Sequence, residues 1–561
     1  MIVSDDSMKF GSLTNIPTHI DFPQISLGRL LKDASEKYAQ KICIHHGSHT
    51  FTFKQVDAIS DRIRDGLLAL GYKKGDRIGL LLPNIPQFVL AFFGIVKMGG
   101  IVVAVNPNYK VREIKNQLTS ARVSGLFLLD SHLQFTSELS QSTAVLKFIH
   151  TGEEEHVSLT DVDTQVIGNK PPEYDTRKLN CISLHNMLSL SGVKNAFLPD
   201  EVFPGDAAIF QFSGGTTGVP KAAVGLHSNV VANVYQFRKW LEPIENIKNP
   251  FLVAIPLFHV YGMVLGMVLA ILMGCPMVLV TSSGKVMNIF NAIRTYKPTV
   301  FPSVPSLFYA MLHSPDLDEY KKDIRNLKVC ISGSASLAAN VKLEFEELIS
   351  GHLIEGYGLS EAPTATHCNP LIGENKIGSI GLPLPGVECR LVSLEDGHHD
   401  VVDGRLGELI LRGPQVMKEY YGNPHETEIT LRNGWLYTGD IAWKDIDGYY
   451  FIKGRKKDLI KVGGLQVWPQ EVEEVIQFLS SVKESTAAGI PDDHLGEVVY
   501  AWVVKHPGSN LTEQEVKAHC RKNLARHKIP VEVKFIDELP RSTVGKILRR
   551  ELIRSVIEKQ D

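Results

Sequence analysis

The decapeptide Phe212–Lys221 reads FSGGTTGVPK and gathers glycines, hydroxyls and a lysine in one short stretch. Gly214, Gly215 and Gly218 free the backbone to take positive φ and to bring its N–H groups close to a ligand. Successive N–H groups turned inward form a concavity for anions. Ser213, Thr216 and Thr217 add hydroxyl donors, and Lys221 adds a cation. That set suits a triphosphate. A solvated turn also collects small polar residues, but it has no use for hydroxyls and glycines at this density. The stretch is not a Walker loop, which runs Gly-Lys-Ser/Thr straight into a helix. Here Pro220 precedes the lysine and Ala222 follows it.

Five more stretches carry residues able to do chemistry. In IPLFHVYG (Ile255–Gly262), Phe258 and Tyr261 flank His259 and fit a wall for an apolar ligand. EGYGLSEA (Glu355–Ala362) follows an expected strand. Its Gly356 and Gly358 let the backbone pass close to a ligand, Tyr357 offers a ring face, and Ser360 and Glu361 offer oxygens. YTGD (Tyr437–Asp440) presents a carboxylate that can accept two hydroxyl hydrogen bonds at once. GRKKDLIKVGGLQVWPQEVE (Gly454–Glu473) is basic and then glycine-rich, and PRSTVGKILRREL (Pro540–Leu552) holds Lys546 at the start of a basic helix. Taken singly, each has an ordinary explanation: a packed histidine, a glycine turn, an exposed linker, one surface cation among several.

Together, in this order, the six stretches resemble the motifs of the acyl-adenylate-forming enzymes, and most closely those of fatty acyl-CoA synthetases. The resemblance spans Phe212 to Lys546. It implies that Ser213–Gly218 and Lys221 hold the phosphates of ATP, with Gly356, Tyr357 and Gly358 at the adenine and Ser360 at the α-phosphate. Asp440 and Arg455 would clamp the ribose. Thr216 and Glu361 would serve Mg²⁺, which takes few protein ligands beside phosphate oxygens and water. The acyl pocket would be lined by His259, Gly333, Ser334, Ala335 and Ala362. Lys457 matches the hinge residue, and Lys461 and Gln466 match residues that face the active site in one or other domain orientation. Gly463 and Gly464 would let the pantetheine arm of CoA pass, and Lys546 matches the catalytic lysine. Two positions depart from the pattern. Ala222 stands where glycine is usual, and the turn Ser332–Leu337 reads SGSASL where glycine and proline are frequent.

The elements that must position these residues follow from the apolar pattern. Helical spacing over Leu27–Tyr38, Phe53–Leu70 and Phe88–Met98 alternates with apolar runs at Arg77–Leu82 and Ile101–Val105. That rhythm predicts parallel sheet with crossover helices, and it returns at Thr299–Phe301, Ser306–Leu312, Val329–Ser332 and Leu337–Ile349. Past about residue 375, glycines and prolines punctuate short β runs such as Glu388–Val392 and Gly407–Leu411. The tail alternates again: helix Glu471–Phe478, strand Val499–Val504, helix Thr512–Leu524, strand Val531–Phe535. The expected α/β organisation is a large N-terminal domain over 1–455, with a β-rich subdomain from about 375, and a small mobile α+β domain over 456–561.

At 561 residues the chain exceeds a single core. A net charge of −3 gives no basic footprint for nucleic acid. Seven scattered cysteines without Cys-x-x-Cys spacing read as reduced thiols of an intracellular protein. The N-terminal residues show no secretory pattern, so the expected location is cytoplasmic. Phe251–Gly284 contains no Asp, Glu, Lys or Arg. Its prolines and glycines favour strand Phe251–Ile255, a buried helix Gly262–Met273 and strand Met277–Val280, with a peripheral membrane contact kept open alongside a homodimer. The chemistry implied by the resemblance is two-step: a carboxylate attacks the α-phosphate of ATP, releasing pyrophosphate, and the thiol of CoA then displaces AMP. A medium- or long-chain fatty acid is the expected acid. An aryl acid of the cinnamate or benzoate type is the alternative, as is an acyl-AMP ligase that loads a carrier protein.

Overall fold

The computed structural model describes residues 20–153, 155–159, 164–167, 180–190, 201–213, 221–243, 249–281, 285–542 and 546–558. The chain divides into two compact units, Met1–Glu388 with Arg412–Gly434, and Cys389–Leu411 with Trp435–Asp561.

In the larger unit the strand–helix alternation becomes two sheets. One orders its strands Leu382–Pro383, Ala362–Cys368, His352–Leu359, Val329–Ser332, Val300–Ser303, Phe251–Val253, Met277–Leu279, Ile42–His46 and His49–Thr52. Its interior pairs are parallel, and antiparallel partners close both margins. The other runs Lys221–Leu226, Ala207–Ser213, Ile101–Ala104, Arg77–Leu81, Gly125–Leu129, Lys147–Thr151 and Cys181–Ser183. It is parallel except where Ala207–Ser213 and Lys221–Leu226 form a hairpin. Parallel neighbours require crossovers, which helices such as Pro86–Met98 and Ala339–Leu348 supply.

Helix Pro86–Met98 is buried at every residue. One core cluster joins its Phe88 and Phe92 to Leu80 and Phe127 of one sheet and to Ile44 and Val253 of the other. A helix apolar all round belongs inside a protein, and this one does. Pro86 starts it, and Gly99, at φ +78°, ends it in the left-handed conformation that a side chain would disfavour. Its one charge, Lys97, is held 2.6 Å from Asp57 and 3.0 Å from Asp61. A buried ammonium is tolerated only when paired in this way.

The uncharged stretch after residue 250 is core. Strand Phe251–Val253, a π-helix over Gly262–Val268, an α-helix over Leu269–Met273 and strand Met277–Leu279 account for it. Among the described residues no helix is long and apolar enough to cross a membrane. The helix expected from Gly262 is there, but its first seven residues wind wider than an α-helix. At Gly262 a Cβ would fall 2.3 Å from the carbonyl oxygen of Pro256, so only glycine lets the chain turn back so tightly.

The smaller unit carries an antiparallel set, Gly407–Arg412, Trp435–Lys444 and Tyr450–Arg455. A second sheet orders Leu465–Val467, Ile460–Val462, Gly496–Lys505 and Val482–Asp492, with Glu532–Phe535 paired parallel to Gly496–Lys505. Helices Pro469–Gln477 and Glu513–Asn523 cover it through Val472, Ile476, Val516 and Cys520.

None of the seven cysteines forms a disulfide. Cys43, Cys275, Cys330, Cys368 and Cys520 are buried, while Cys181 and Cys389 are half-buried. Burial raises the thiol pKa of Cys520 to about 11 and of Cys275 to about 12.

Candidate functional site

In the larger unit the hairpin register sets Ser213 opposite Lys221 at the end of its two strands. Gly214, Gly215, Thr216, Thr217 and Gly218 lie outside the described residues. Lys221 pairs with Glu426 at 2.5 Å and stands 5.5 Å over the ring of Tyr420. The Tyr420 hydroxyl donates to Glu361 Oε1 at 2.6 Å. Backbone bonds fix this group: Lys418 N to Val224 O, Val224 N to Glu419 O, and Tyr421 N to Ala222 O, all at 2.9 Å. Segment 417–421 is thereby laced along strand Lys221–Leu226. Asn423 then caps helix Pro424–Thr430 and brings Glu426 to the lysine. Ala222 is buried within the strand, where a methyl group fits.

Ser360 and Glu361 form the turn between strands His352–Leu359 and Ala362–Cys368, closed by the pair Leu359–Ala362. The residues expected to follow a strand are themselves strand: Gly356 opposes Cys368 and Tyr357 opposes His367. At Gly358 a Cβ would lie 1.7 Å from the Thr364 carbonyl oxygen, so the close approach of the two strands demands glycine. Among the described residues no three His, Cys, Asp or Glu side chains gather as a metal cage. Glu361 at its turn offers a single carboxylate, which suits Mg²⁺ completed by phosphate oxygens and water.

His259 is set by a residue from the turn after strand Arg77–Leu81 of the other sheet. Asn84 donates to the carbonyls of Val253 and Ile255 at 3.1 and 2.9 Å and accepts from Leu257 N at 2.7 Å. It pins the start of the loop that carries the histidine. Burial lowers the His259 pKa to about 4, so its imidazole is neutral near pH 7. Its Nδ1 accepts from Tyr261 N at 3.3 Å, and the Tyr261 hydroxyl donates to Ile331 O at 2.7 Å. A Cβ at Gly333 would meet the Tyr261 ring at 3.2 Å and the Gly356 carbonyl oxygen at 3.6 Å. His259, Tyr261, Gly333 and Gly356 thus form one neighbourhood. Ala362 is buried, whereas Ser334 and Ala335 are exposed, Ser334 at φ +71°. Behind them Glu355 is buried and accepts from Leu337 N and Gly378 N, each at 3.3 Å. Burial raises its pKa to about 7, against the opposing pull of those two N–H groups and of Lys342.

In the smaller unit Asp440 and Arg455 face each other across paired strands, Nε to Oδ1 2.8 Å. Gly439 sits at φ +70° and donates its N–H to Glu408, which also pairs with Lys456 at 2.8 Å. Lys457 lies in the single turn Lys456–Asp458 between strands Tyr450–Arg455 and Ile460–Val462. Its pKa falls to about 8 through desolvation first, then through Arg455, with Lys546 and Arg550 adding to the crowding of charge. Lys546 is also held below the ordinary lysine range, by desolvation and then by Arg455, while Asp440 and Asp458 pull the other way. Lys461 and Gln466 are exposed cross-strand partners. The two residues closing their hairpin, Gly463 and Gly464, have φ +55° and +82°, the backbone of a type I′ turn.

The chain matches the family described as AMP-binding enzyme over residues 31–421, and the AMP-binding enzyme C-terminal domain over 471–546. The chain belongs to the AMP-binding enzymes. Within that family it is similar to a long-chain-fatty-acid–CoA ligase of Bacillus subtilis, 35% identical, with 97% of each chain covered. A ligase of the same name from Escherichia coli O157:H7 is 34% identical over 96% of each. ATP-bound MatB from Rhodopseudomonas palustris shares the fold at TM-score 0.83 and 24% identity, covering 96% of this chain and 100% of that one. An anthranilate CoA ligase in complex with anthranoyl-AMP does so at TM-score 0.81 and 24% identity, covering 95% and 97%.

In this AMP-binding enzyme the structure adds residues that the motifs do not name. Tyr420 and Glu426 organise Lys221 and Glu361, and their sequence signal is the aromatic pair Tyr420-Tyr421 before the Gly-Asn-Pro turn. Asn84 shapes the His259 loop, yet in the sequence it is one turn residue between prolines.

Proposed function

We infer that this AMP-binding enzyme uses ATP to activate a medium- or long-chain fatty acid and then transfers the acyl group to CoA. In the first step a carboxylate oxygen bonds to the α-phosphorus and pyrophosphate leaves, giving acyl-AMP. In the second the CoA thiol, losing its proton, bonds to the acyl carbon and AMP leaves. The names of full-length relatives at 34–35% identity support the substrate class.

The observation that carries the reading is the pairing of Asp440 with Arg455 across neighbouring strands, Nε to Oδ1 2.8 Å, in the same unit as Lys546. Asp440 would accept the ribose hydroxyls, with Arg455 holding its carboxylate in place. Lys546 and Arg455 would offset negative charge as it moves between carboxylate and phosphate, a stabilisation that is largest in the transition state. Lys221 and the glycine-rich stretch Ser213–Gly218 would take the phosphates, and Tyr357 the adenine face. Bound at Thr216 and Glu361, Mg²⁺ would supply charge neutralisation at the phosphates. Neutral His259, with Tyr261, Gly333 and Ala362, would wall the acyl chain without adding a charge to an apolar pocket. Ser360 would reach the α-phosphate.

For the second step we assign Lys461 and Gln466 to the face presented after a rotation of the C-terminal domain about Lys457, with CoA passing Gly463 and Gly464. The division near residue 456 is part of this proposal. A single helical turn between two strands suits a hinge, because few residues need absorb the torsional change. The cytoplasm, with its ATP and CoA, is the compartment that this reading assigns.

The test is pyrophosphate release, with and without CoA, across acids from acetate to palmitate and a set of aryl acids. Turnover that rises with alkyl chain length supports the reading. A preference for benzoate or cinnamate overturns the substrate class, and release without any acid dependence overturns the reaction.

A further inference from the structure

Beyond Lys546 the chain enters helix Arg549–Ile557 through a set of part-buried polar contacts that the reaction itself does not use. Arg549 Nη2 lies 2.8 Å from Glu473 Oε1, and its Nε donates to Thr486 Oγ1 at 3.1 Å. Its Nη1 is 3.6 Å from Asp458. Glu473, buried on helix Pro469–Gln477, accepts at the same oxygen from the Thr486 hydroxyl at 2.9 Å and from Ala487 N at 2.8 Å. The other side of the lysine is tied just as firmly. Arg541 pairs with Glu484 at 2.7 Å and bridges to Ile547 through the backbone. Leu548 N donates to Pro540 O, and Ser542 N to Lys546 O, both at 2.8 Å. Glu484 and Thr486 belong to one strand, Val482–Asp492, so both flanks of Lys546 are anchored to the same element.

A part-buried Arg–Glu pair is a poor route to stability alone, since an apolar pair of similar volume commonly does as well or better. Its distinguishing property is geometric: a planar guanidinium with three partners fixes the backbone from which it springs. That backbone is three residues from Lys546, across the bridged residue Ile547.

We propose that Arg549 and Glu473 are positioning residues for the adenylation half-reaction, holding the backbone that carries Lys546 and so the orientation of its ammonium. The proposal rests on the reading of Lys546 as the adenylation lysine. It concerns orientation, and because that reading does not route the thioester half-reaction through Lys546, the second step should be left largely intact.

The experiment uses the full chain and the variants Arg549→Gln, Arg549→Lys, Glu473→Gln and Lys546→Ala, with the double variant Arg549→Gln/Lys546→Ala. Acid-dependent pyrophosphate release reports adenylation, and acyl-CoA formation from supplied acyl-AMP reports the second step. Arg549→Gln should slow adenylation by about 100-fold, as expected when a reacting group is displaced by about 1 Å. Glu473→Gln should cost less, since its amide oxygen still accepts from Ala487, and Arg549→Lys should recover part of the loss. In the Lys546→Ala background, Arg549→Gln should add less than about twofold, because both act through one ammonium. Equal losses in the two half-reactions, or fully multiplicative losses in the double variant, overturn the proposal. Failure of both glutamine variants to fold would make the pair a fold prop and overturn it as well. Undiminished adenylation by Lys546→Ala instead sinks the reading of that lysine, and the proposal falls with it.

Discussion

The hydroxyl of Tyr420 donates to Glu361 at 2.6 Å while the same ring lies 5.5 Å from the ammonium of Lys221. One side chain therefore links the carboxylate assigned to Mg²⁺ with the cation assigned to phosphate. Tyr420→Phe keeps the ring and removes the bond, which for a charged acceptor is worth about 1.5–3 kcal/mol. The Mg²⁺ concentration giving half-maximal pyrophosphate release should rise by about tenfold, with KM for the acid unchanged. Glu361→Ala should do more. An unmoved Mg²⁺ midpoint in both would remove Glu361 from the metal site.

Glu355 makes a pH-dependent contribution whose sign is fixed by its buried setting. Its pKa, about 7 in the folded protein, lies above the ordinary glutamate value of 4.5. Between these values the folded state binds more protons, so stability falls as pH rises from 4.5 to 7 and levels off above. Glu355→Gln removes that dependence. Relative to the parent it should gain up to about 3 kcal/mol between pH 4.5 and pH 8. Urea midpoints of the larger unit at four pH values check this, and a constant difference would refute it.

Ser334 occupies the left-handed region at φ +71° and is exposed. Serine already bears the Cβ strain of that region, about 1–2 kcal/mol, so Ser334→Gly should stabilise by up to that amount while Ser334→Phe adds little strain of its own. If Ser334 faces the acyl chain, the phenyl ring should also penalise palmitate more than hexanoate, by about 0.8 kcal/mol for each methylene excluded. Chain-length profiles of kcat/KM for the two variants separate the effects. A loss equal at every length would place Ser334 outside the acyl pocket.

The type I′ turn at Gly463-Gly464 limits what can replace either residue. Asn tolerates positive φ, whereas a β-branched side chain does not. Gly464→Asn should keep the hairpin and test the bare-backbone path for CoA, and Gly464→Val should break both. Each should lower acyl-CoA formation from acyl-AMP while pyrophosphate release stays within about twofold of the parent. A fall in both steps for Gly464→Asn would count against a CoA path there.

Much of this was legible from the chain. Helix Leu27–Tyr38 and strand Val329–Ser332 have the bounds that their apolar spacing predicts, because burial on one face or both writes a period into the sequence. Strand Val482–Asp492 was not legible. Its KESTAAGIPD carries few β-branched residues and a proline, and it becomes a strand by pairing along its whole length with Gly496–Lys505. The EGYGL stretch, expected to follow a strand, is itself strand, and Gly358 is what its two strands need to approach each other. Asn84, Tyr420 and Glu473 escaped because each acts on a partner far away in the chain, and no local spacing encodes such a bond. The ion-pair partners of Lys221 and Arg549 are invisible for the same reason.

The burial of five thiols gives the molecule an internal gauge. Alkylation needs a thiolate at the surface, so Cys43, Cys275, Cys330, Cys368 and Cys520 should be silent towards maleimide until the surrounding structure opens. Four of them lie in the larger unit, and Cys520 lies in the smaller. Peptide-resolved labelling over time would therefore time the opening of each unit separately, in one tube and without a single engineered probe. Cys181 and Cys389, half-buried, would mark the native background.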